Sequence, residues 1–194
     1  MFQVFQLTLT FTEPLLGTVA SDQEVYKRFI ATKAPEPDPD ETTVENQNDR
    51  ERAGWTTFYR MPDNNEIACL MDYQVKGFLK EAGNVLKENV KIKALRSKVE
   101  SDVFVFPRRI PLGAIDGVIE RPLRAMTMQG PRVSVVRSDV VNPGRRVDLR
   151  VEVREGSVVK EAVLRQLLDY GAYAGLGQWR SGSYGRFSYE LGGP

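Results

Sequence analysis

The order of strand-like and helix-like apolar periodicities along this chain constrains its fold more than any single motif does. Apolar and polar residues alternate through residues 2–11, which predicts a strand with one buried face. Helical spacing appears over 72–89 and again between Ser157 and Tyr170, with strand-like runs between and after the two helices. This order predicts an α+β fold, an elaborated ferredoxin-like or RRM-like βαββαβ domain. Its sheet is expected to be antiparallel, with both helices on one face.

Turn-forming residues predict two hairpins within this order. The hairpins are 55–60 with 66–71 around the turn 62–65, and 132–141 with 147–153 around the Asn-Pro-Gly turn 142–144. Further strands are predicted at 102–106, 122–128 and 185–191, and residues 18–31 as a short helix or ordered loop. Ser157 is the predicted cap of the second helix and Gly171 its end.

Length and composition predict one globular domain over residues 1–194. A chain of 194 residues with 41% hydrophobic and 27% charged residues is typical of a folded domain with a single core. Residues 34–51 are acidic, rich in proline and nearly free of large apolar side chains, which predicts a flexible acidic insertion at about 32–53. No apolar run approaches the ~20 residues of a membrane span, and the first residues do not resemble a secretion signal, so we expect a cytoplasmic protein without membrane contact.

The residue types that the chain lacks exclude several kinds of catalytic site. There is no histidine, which excludes catalytic triads that need an imidazole and histidine-ligated metals. The single cysteine, Cys69, is predicted to be a packed thiol inside a strand. Without clustered cysteines or a spaced carboxylate loop, no metal site, cofactor or catalytic residue is predicted.

Arginines are concentrated in one part of a chain whose formal net charge is only +1. Residues 108–154 hold ten arginines against five acidic residues. These arginines are Arg108, Arg109, Arg121, Arg124, Arg132, Arg137, Arg145, Arg146, Arg150 and Arg154. Because a guanidinium offers a planar fork to phosphate, a local basic face is one interpretation, and solvated faces of strands are the other.

A glycine-rich segment follows the second predicted helix. Residues 175–187 contain four glycines, two arginines and the aromatic residues Trp179 and Tyr184. Glycines let backbone amides approach an anion, arginines bind phosphate oxygens, and aromatic rings stack on bases, so the segment is suited to nucleic acid. An ordinary turn between a helix and a closing strand remains the alternative, as does a buried, packing role for Trp179.

Residues 173–187 resemble the carboxyl-terminal glycine-rich loop of the RAMP superfamily, the RNA-binding proteins of CRISPR effector and processing systems. The opening strand that ends in Pro14–Gly17 is similar to the first strand of that superfamily, and Asp72–Lys80, with its Lys-Gly pair, is similar to a loop-to-helix segment of its backbone subunits. The resemblance implies a modified RRM fold that holds RNA along its backbone, often with several copies in a row.

The resemblance and the residue types together predict a guide-like single-stranded RNA as ligand, with other ribonucleoprotein subunits or copies of the chain as protein partners. The predicted RNA-binding residues are Lys76, Lys80, Arg108, Arg109, Gly175, Gly177, Trp179, Arg180, Ser181, Gly182, Ser183, Tyr184 and Arg186. Binding is expected to be dominated by phosphate contacts, with little sequence preference. For each charged residue a solvated role is the alternative.

Two other functions stay open at this point. The near-neutral charge and the acidic segment favour a structural or protein-interaction component, for example a phage or accessory protein that keeps the fold without RNA. A metal-independent or weak ribonuclease is the second alternative. Backbone subunits that cut RNA use an aspartate in a loop after the first strand, and Asp22 is the nearby candidate, with a helix cap or a solvated side chain as its other interpretation. Cleavage is not expected.

Overall fold

The computed structural model describes residues 1–21, 55–127 and 130–193. The predicted acidic insertion and Asp22 lie outside the described residues. The strands are β1 (Phe2–Phe11), β2 (Leu15–Leu16), β3 (Val19–Ala20), β4 (Trp55–Thr57), β5 (Tyr59–Arg60), β6 (Ala68–Met71), β7 (Val103–Phe106), β8 (Arg109–Gly113), β9 (Gly117–Thr127), β10 (Gly130–Val141), β11 (Arg146–Arg154) and β12 (Phe187–Gly192). The helices are α1 (Asp72–Val85), α2 (Lys87–Val90), α3 (Leu95–Asp102), α4 (Glu161–Asp169) and α5 (Gly171–Ala174), and Arg180–Gly182 forms a turn of 3₁₀-helix.

The central sheet has the strand order β12-β1-β11-β7, with every neighbouring pair antiparallel. If β1, β7, β11 and β12 are counted as the four strands of a βαββαβ unit, this order is that of a ferredoxin-like domain. The predicted α+β, ferredoxin-like fold is therefore confirmed.

The core lies on one face of this sheet. Alternate side chains of β1, beginning at Phe5 and ending at Phe11, are at most 1% exposed. The ring of Phe78 on α1 lies 5.4 Å from the ring of Phe187 on β12 and 6.2 Å from that of Tyr170, which follows α4. Both predicted helices thus pack on the same face of the sheet, and the described residues leave the other face open.

The strand pairing around the arginine-rich region differs from the prediction. The predicted hairpin of β10 with β11 is wrong, because β10 pairs with β9 and β11 pairs with β1 and β7. The amide of Gly144 donates to the carbonyl of Phe11, and the amide of Phe11 donates to the carbonyl of Arg145. The Asn-Pro-Gly turn therefore directs the chain from one sheet into another.

The first predicted hairpin is confirmed for the residues next to its turn. β5 pairs with β6 antiparallel, and β6 also pairs with β8. β4 leaves this hairpin and pairs with β3 and, in parallel, with β10. The second sheet, β2-β10-β4-β3 with β9 beside β10, consequently joins distant parts of the chain.

The helices also depart in detail from the sequence pattern. α1 begins at Asp72 as predicted, where the side chain of Gln74 accepts a hydrogen bond from the amide of Met71 at 2.8 Å. The predicted cap at Ser157 is wrong, since α4 begins at Glu161. The Ser157 hydroxyl instead donates to the buried carboxylate of Asp102 at 2.8 Å. Among the described residues, no helix is long and apolar enough to cross a membrane.

Gly77 lies on the exposed side of α1, where an added Cβ would meet no atom within 4 Å. Because glycine in a helix interior costs roughly 0.5–1 kcal/mol relative to alanine, Gly77→Ala is expected to raise the free energy of unfolding by about that amount. Urea denaturation followed by circular dichroism measures it. Gly83→Ala in the same helix is the control, since its Cβ would lie 3.3 Å from the backbone nitrogen of Arg96 and the gain should shrink or reverse. A lower midpoint for Gly77→Ala would contradict the prediction.

Candidate nucleic-acid interface

The glycine-rich loop, residues 175–186, is held at its base by backbone hydrogen bonds. The amide of Leu176 donates to the carbonyl of Gly185 at 2.8 Å, and the amide of Gly185 donates to the carbonyl of Pro14 at the same distance. Gly175, Gly177 and Gly185 all have positive φ. A Cβ at Gly175 would overlap the carbonyl oxygen of Tyr184, so this position also needs glycine for space. The loop is thus a packed part of the fold.

The outer part of the loop carries two aromatic rings. Trp179 and Ser183 adopt left-handed conformations on either side of the turn Arg180–Gly182. The ring centroids of Trp179 and Tyr184 lie 6.4 Å apart, in an edge-to-face arrangement with an interplanar angle of 68°. Both rings are half-buried, whereas Ser181 and Gly182 between them are exposed. This arrangement gives an aromatic surface that a base could contact.

A buried arginine lies under these rings. The guanidinium carbon of Arg121 is 3.6 Å from the centroid of Trp179 and 5.4 Å from that of Tyr184. Arg121 is 5% exposed, and its Nη2 donates to the hydroxyl of Ser138 at 2.9 Å. Its Nε and Nη1 have no hydrogen-bond partner among the residues that the structure describes. Burial lowers the pKa of the Arg121 guanidinium, which nevertheless stays protonated at neutral pH.

Polar side chains from three distant segments meet beside Arg121. The side-chain oxygen of Gln178 accepts from the hydroxyl of Thr56 at 3.0 Å and from that of Ser138 at 3.4 Å. The carboxylate of Asp139 belongs to the other face of β10, because successive residues of a strand point to opposite faces. There it accepts from the hydroxyl of Thr57. Sequence reasoning included Arg121 only in the possible basic face and assigned no binding role to Ser138, Thr56 or Gln178.

The two arginines of the loop already have acceptors. Nη2 of Arg180 lies 2.7 Å from Oε2 of Glu81 on α1, in a pair whose side chains are 34% and 41% exposed. Nε of Arg186 donates to the carbonyl of Tyr173 at 3.1 Å. A half-exposed ion pair contributes little, in the range of about 0–1 kcal/mol, so a phosphate could compete with Glu81 for Arg180.

Two of the loop amides predicted to hold a nucleic-acid backbone are also engaged. The amide of Gly175 donates to the carbonyl of Gly171, and the amide of Gly182 donates to that of Trp179. These two hydrogen bonds hold the loop in its shape. The amide of Gly177 forms no backbone hydrogen bond with the described part of the chain.

The four predicted cations outside the loop lie on other elements. Nζ of Lys76 donates to the carbonyls of Glu100 and Val103, and burial lowers its pKa. Lys80 pairs with the Glu100 carboxylate at 2.5 Å, and this hydrogen bond holds the pKa of Glu100 below its usual range. Within residues 1–21, 55–127 and 130–193, neither lysine forms a hydrogen bond or ion pair with the loop.

Arg108 and Arg109 lie at the start of β8, near α1. The carbonyl of Arg108 accepts from the amide of Asp72, and its side chain is exposed. Nη1 of Arg109 donates to the carbonyl of Arg60 at 3.0 Å. The structure therefore places only Arg108 among these four as an exposed cation without a hydrogen bond to the described residues, and an RNA contact by any of the four stays a prediction.

Acidic neighbours neutralise much of the predicted basic face. Five arginines from β10, β11 and the turn between them form ion pairs within the described chain. The pairs are Arg137–Glu120, Arg145–Asp116, Arg146–Glu190, Arg150–Glu152 and Arg154–Asp102. No group of three potential metal ligands occurs among the described residues. Cys69 is buried, as predicted, and burial raises the pKa of its thiol.

Comparisons with known proteins bear on the fold. No protein-family model and no curated protein matches the sequence. The structure is similar to solved structures, among them a chain of the "Cryo-EM structure of the Type III-B Cmr-beta bound to cognate target RNA". The TM-score is 0.52 at 11% identity, and the match covers 99% of this chain and 61% of that chain. The chain thus spans less than two thirds of the chain that it matches, and the likeness shows the fold.

Proposed function

We propose that this protein binds single-stranded RNA as a RAMP-type subunit of a ribonucleoprotein, without catalysis. The observation that carries the proposal is the glycine-rich loop, which presents Trp179 and Tyr184 above the guanidinium of Arg121. The fold supports it, because a chain of similar fold comes from an assembly described as bound to target RNA. Other subunits of the assembly, or copies of this chain, are the expected protein partners.

Binding would use the loop in two ways. Bases would stack on the aromatic rings, an interaction that tolerates any sequence because every base has a π-face. Phosphates would contact Arg180 after it exchanges Glu81 for the nucleic acid. Both contacts ignore base identity, so the affinity should depend strongly on salt and little on sequence.

The ion pair between Arg180 and Glu81 allows a two-sided test. Arg180→Ala removes a charge-assisted contact and should weaken binding of a fluorescein-labelled oligouridine about tenfold, as expected for the loss of about 1.4 kcal/mol. Glu81→Gln removes only the competitor of the phosphate and should strengthen binding about threefold. Fluorescence anisotropy at several salt concentrations measures both.

Arg146→Ala is the matched control for this pair of variants. Arg146 also pairs with a carboxylate, Glu190, at 3.4 Å, but it projects from β11 on the open face of the sheet. Its replacement should leave the affinity unchanged. Opposite shifts for Arg180→Ala and Glu81→Gln support the proposal, whereas equal affinities for the two variants and the wild type contradict it.

The open face of the central sheet favours the second candidate function, a non-enzymatic protein-interaction component. Phe2, Val4, Phe104 and Phe106 are exposed there, and the rings of Phe2 and Phe104 lie 5.6 Å apart. Charges on this face pair with one another, as in Arg150–Glu152 at 2.9 Å. Salt-independent association with a protein, in the absence of RNA binding, would favour this candidate. The ribonuclease alternative depends on Asp22, outside the described residues.

A further inference from the structure

Arg121 is a buried cation without a counter-ion among the described residues. It is 5% exposed, and within the described part of the chain it forms one hydrogen bond, to Ser138, while its Nε and Nη1 atoms have no acceptor. Leaving a buried charged donor unpaired is among the more costly arrangements in a folded protein. Stacking on the face of Trp179 offsets part of this cost, but a ring supplies no acceptor for the two free nitrogens. The unpaired donors therefore give Arg121 the arrangement of an anion receptor.

We propose that Arg121 receives a phosphate group of the bound nucleic acid beneath Trp179. This inference rests on the proposed function and assigns one residue of that interface. Phosphate is suited to the position because its oxygens accept several hydrogen bonds at once, and a guanidinium has five N–H donors. The hydroxyls of Thr56 and Ser138, 2.8 Å apart, lie beside the guanidinium, and each would donate to the phosphate in exchange for its present acceptor, Gln178.

Both unpaired nitrogens are closed to solvent, so a side chain has to move before a phosphate reaches them. We assign this movement to the Trp179 ring, whose centroid lies 3.6 Å from the guanidinium carbon. Trp179 is only half-buried and precedes the exposed turn at Ser181 and Gly182. The movement would transfer the ring from the guanidinium to a base, so stacking and phosphate binding would occur together. The chain has two tryptophans, so Trp55→Phe leaves Trp179 as the only one. Oligouridine should change the intrinsic fluorescence of this variant.

The decisive comparison is Arg121→Met against Arg137→Met in the full chain. Arg137 lies on the same hairpin, faces the opposite side, stacks on Trp55 at 4.9 Å and has a counter-ion in Glu120. Arg121→Met should weaken oligouridine binding about tenfold to a hundredfold. It should also lower the slope of log affinity against log salt by about 1, the signature of one lost phosphate contact. Arg137→Met should do neither.

Thermal stability separates a receptor from a structural arginine. An apolar side chain of similar size in place of an unpaired buried charge is expected to be neutral or stabilising, so the melting temperature of free Arg121→Met should stay equal or rise. Unchanged RNA affinity in Arg121→Met would overturn the proposal, and so would a weaker affinity with an unchanged salt slope. Arg121→Gln, which keeps a donor for Ser138, is measured in the same way if the methionine variant does not fold.

Melting temperatures in phosphate test this inference separately from the proposed function. The melting temperatures of the wild type and Arg121→Met are compared in sodium phosphate and in sodium chloride of equal ionic strength. If the wild type binds no RNA, the proposed function fails. A phosphate-specific rise that Arg121→Met lacks would then still support an anion receptor at Arg121, and an equal rise in both proteins would refute it.

Discussion

Gly185→Ala is expected to lower the free energy of unfolding by about 3–4 kcal/mol. Gly185 has φ +69°, a conformation that costs an L side chain about 1–2 kcal/mol. An added Cβ would also overlap the carbonyl oxygen of Leu176, which is backbone and has little room to shift. Because Leu176 and Gly185 form the base of the glycine-rich loop, the same change should displace Trp179 and Tyr184 and reduce RNA affinity.

Gly144→Ala separates the cost of the positive φ at Gly185 from the cost of the overlap with Leu176. Gly144 has φ +87° and nothing within 4 Å of an added Cβ, so alanine there meets only the conformational cost of about 1–2 kcal/mol. Denaturant unfolding of both variants gives the difference, which we attribute to the overlap with Leu176. Equal losses in the two variants would show that the base of the loop relaxes freely, and would contradict a loop that the fold holds rigidly.

Asp102→Asn is expected to cost about 3 kcal/mol of unfolding free energy, because it removes the charge from a buried hydrogen-bonded carboxylate. Asp102 is 1% exposed and accepts hydrogen bonds from the hydroxyls of Ser157 at 2.8 Å and Ser101 at 2.9 Å and from Nε of Arg154 at 3.0 Å. An asparagine would point an amide donor at one of these donors. The cluster joins the end of α3, the end of β11 and the segment before α4.

The pH dependence of the same variant has a defined sign. The hydrogen bond from Ser157, followed by those from Ser101 and Arg154, holds the pKa of Asp102 below its ordinary value of 3.8. The stabilisation is therefore present above the unfolded pKa and is lost as the pH falls through the lower folded pKa. Wild-type stability should fall more steeply than that of Asp102→Asn below about pH 4. Glu190→Gln, at an exposed pair, is the control and should leave the free energy of unfolding unchanged. Parallel losses of stability with falling pH in wild type and Asp102→Asn would refute the assignment.

The place of the glycine-rich loop in the chain could be predicted because glycines and aromatic residues mark it in one short segment. The position of Arg121 could not be predicted in the same way. The sequence pattern predicted a strand from residue 122, whereas β9 begins at Gly117 and places Arg121 on the inner face of the hairpin. An arginine at an inward position of a strand is the signal that could have revealed it. Because the pairing of Arg180 with Glu81 joins the loop to a helix far away in the chain, no local pattern predicts it.

The sequence by itself determined the α+β order, the buried face of β1 and the need for glycine at the base of the loop. These features follow from local periodicity and from backbone conformation, which neighbouring residues decide. The tertiary structure alone decided that β10 pairs with β9, that β11 lies beside β1, and that Arg121 lies beneath Trp179. Alternation along a strand reports which face is buried but not which strand is its neighbour. Partner choice depends on contacts between distant segments, and these arise only when the whole core packs.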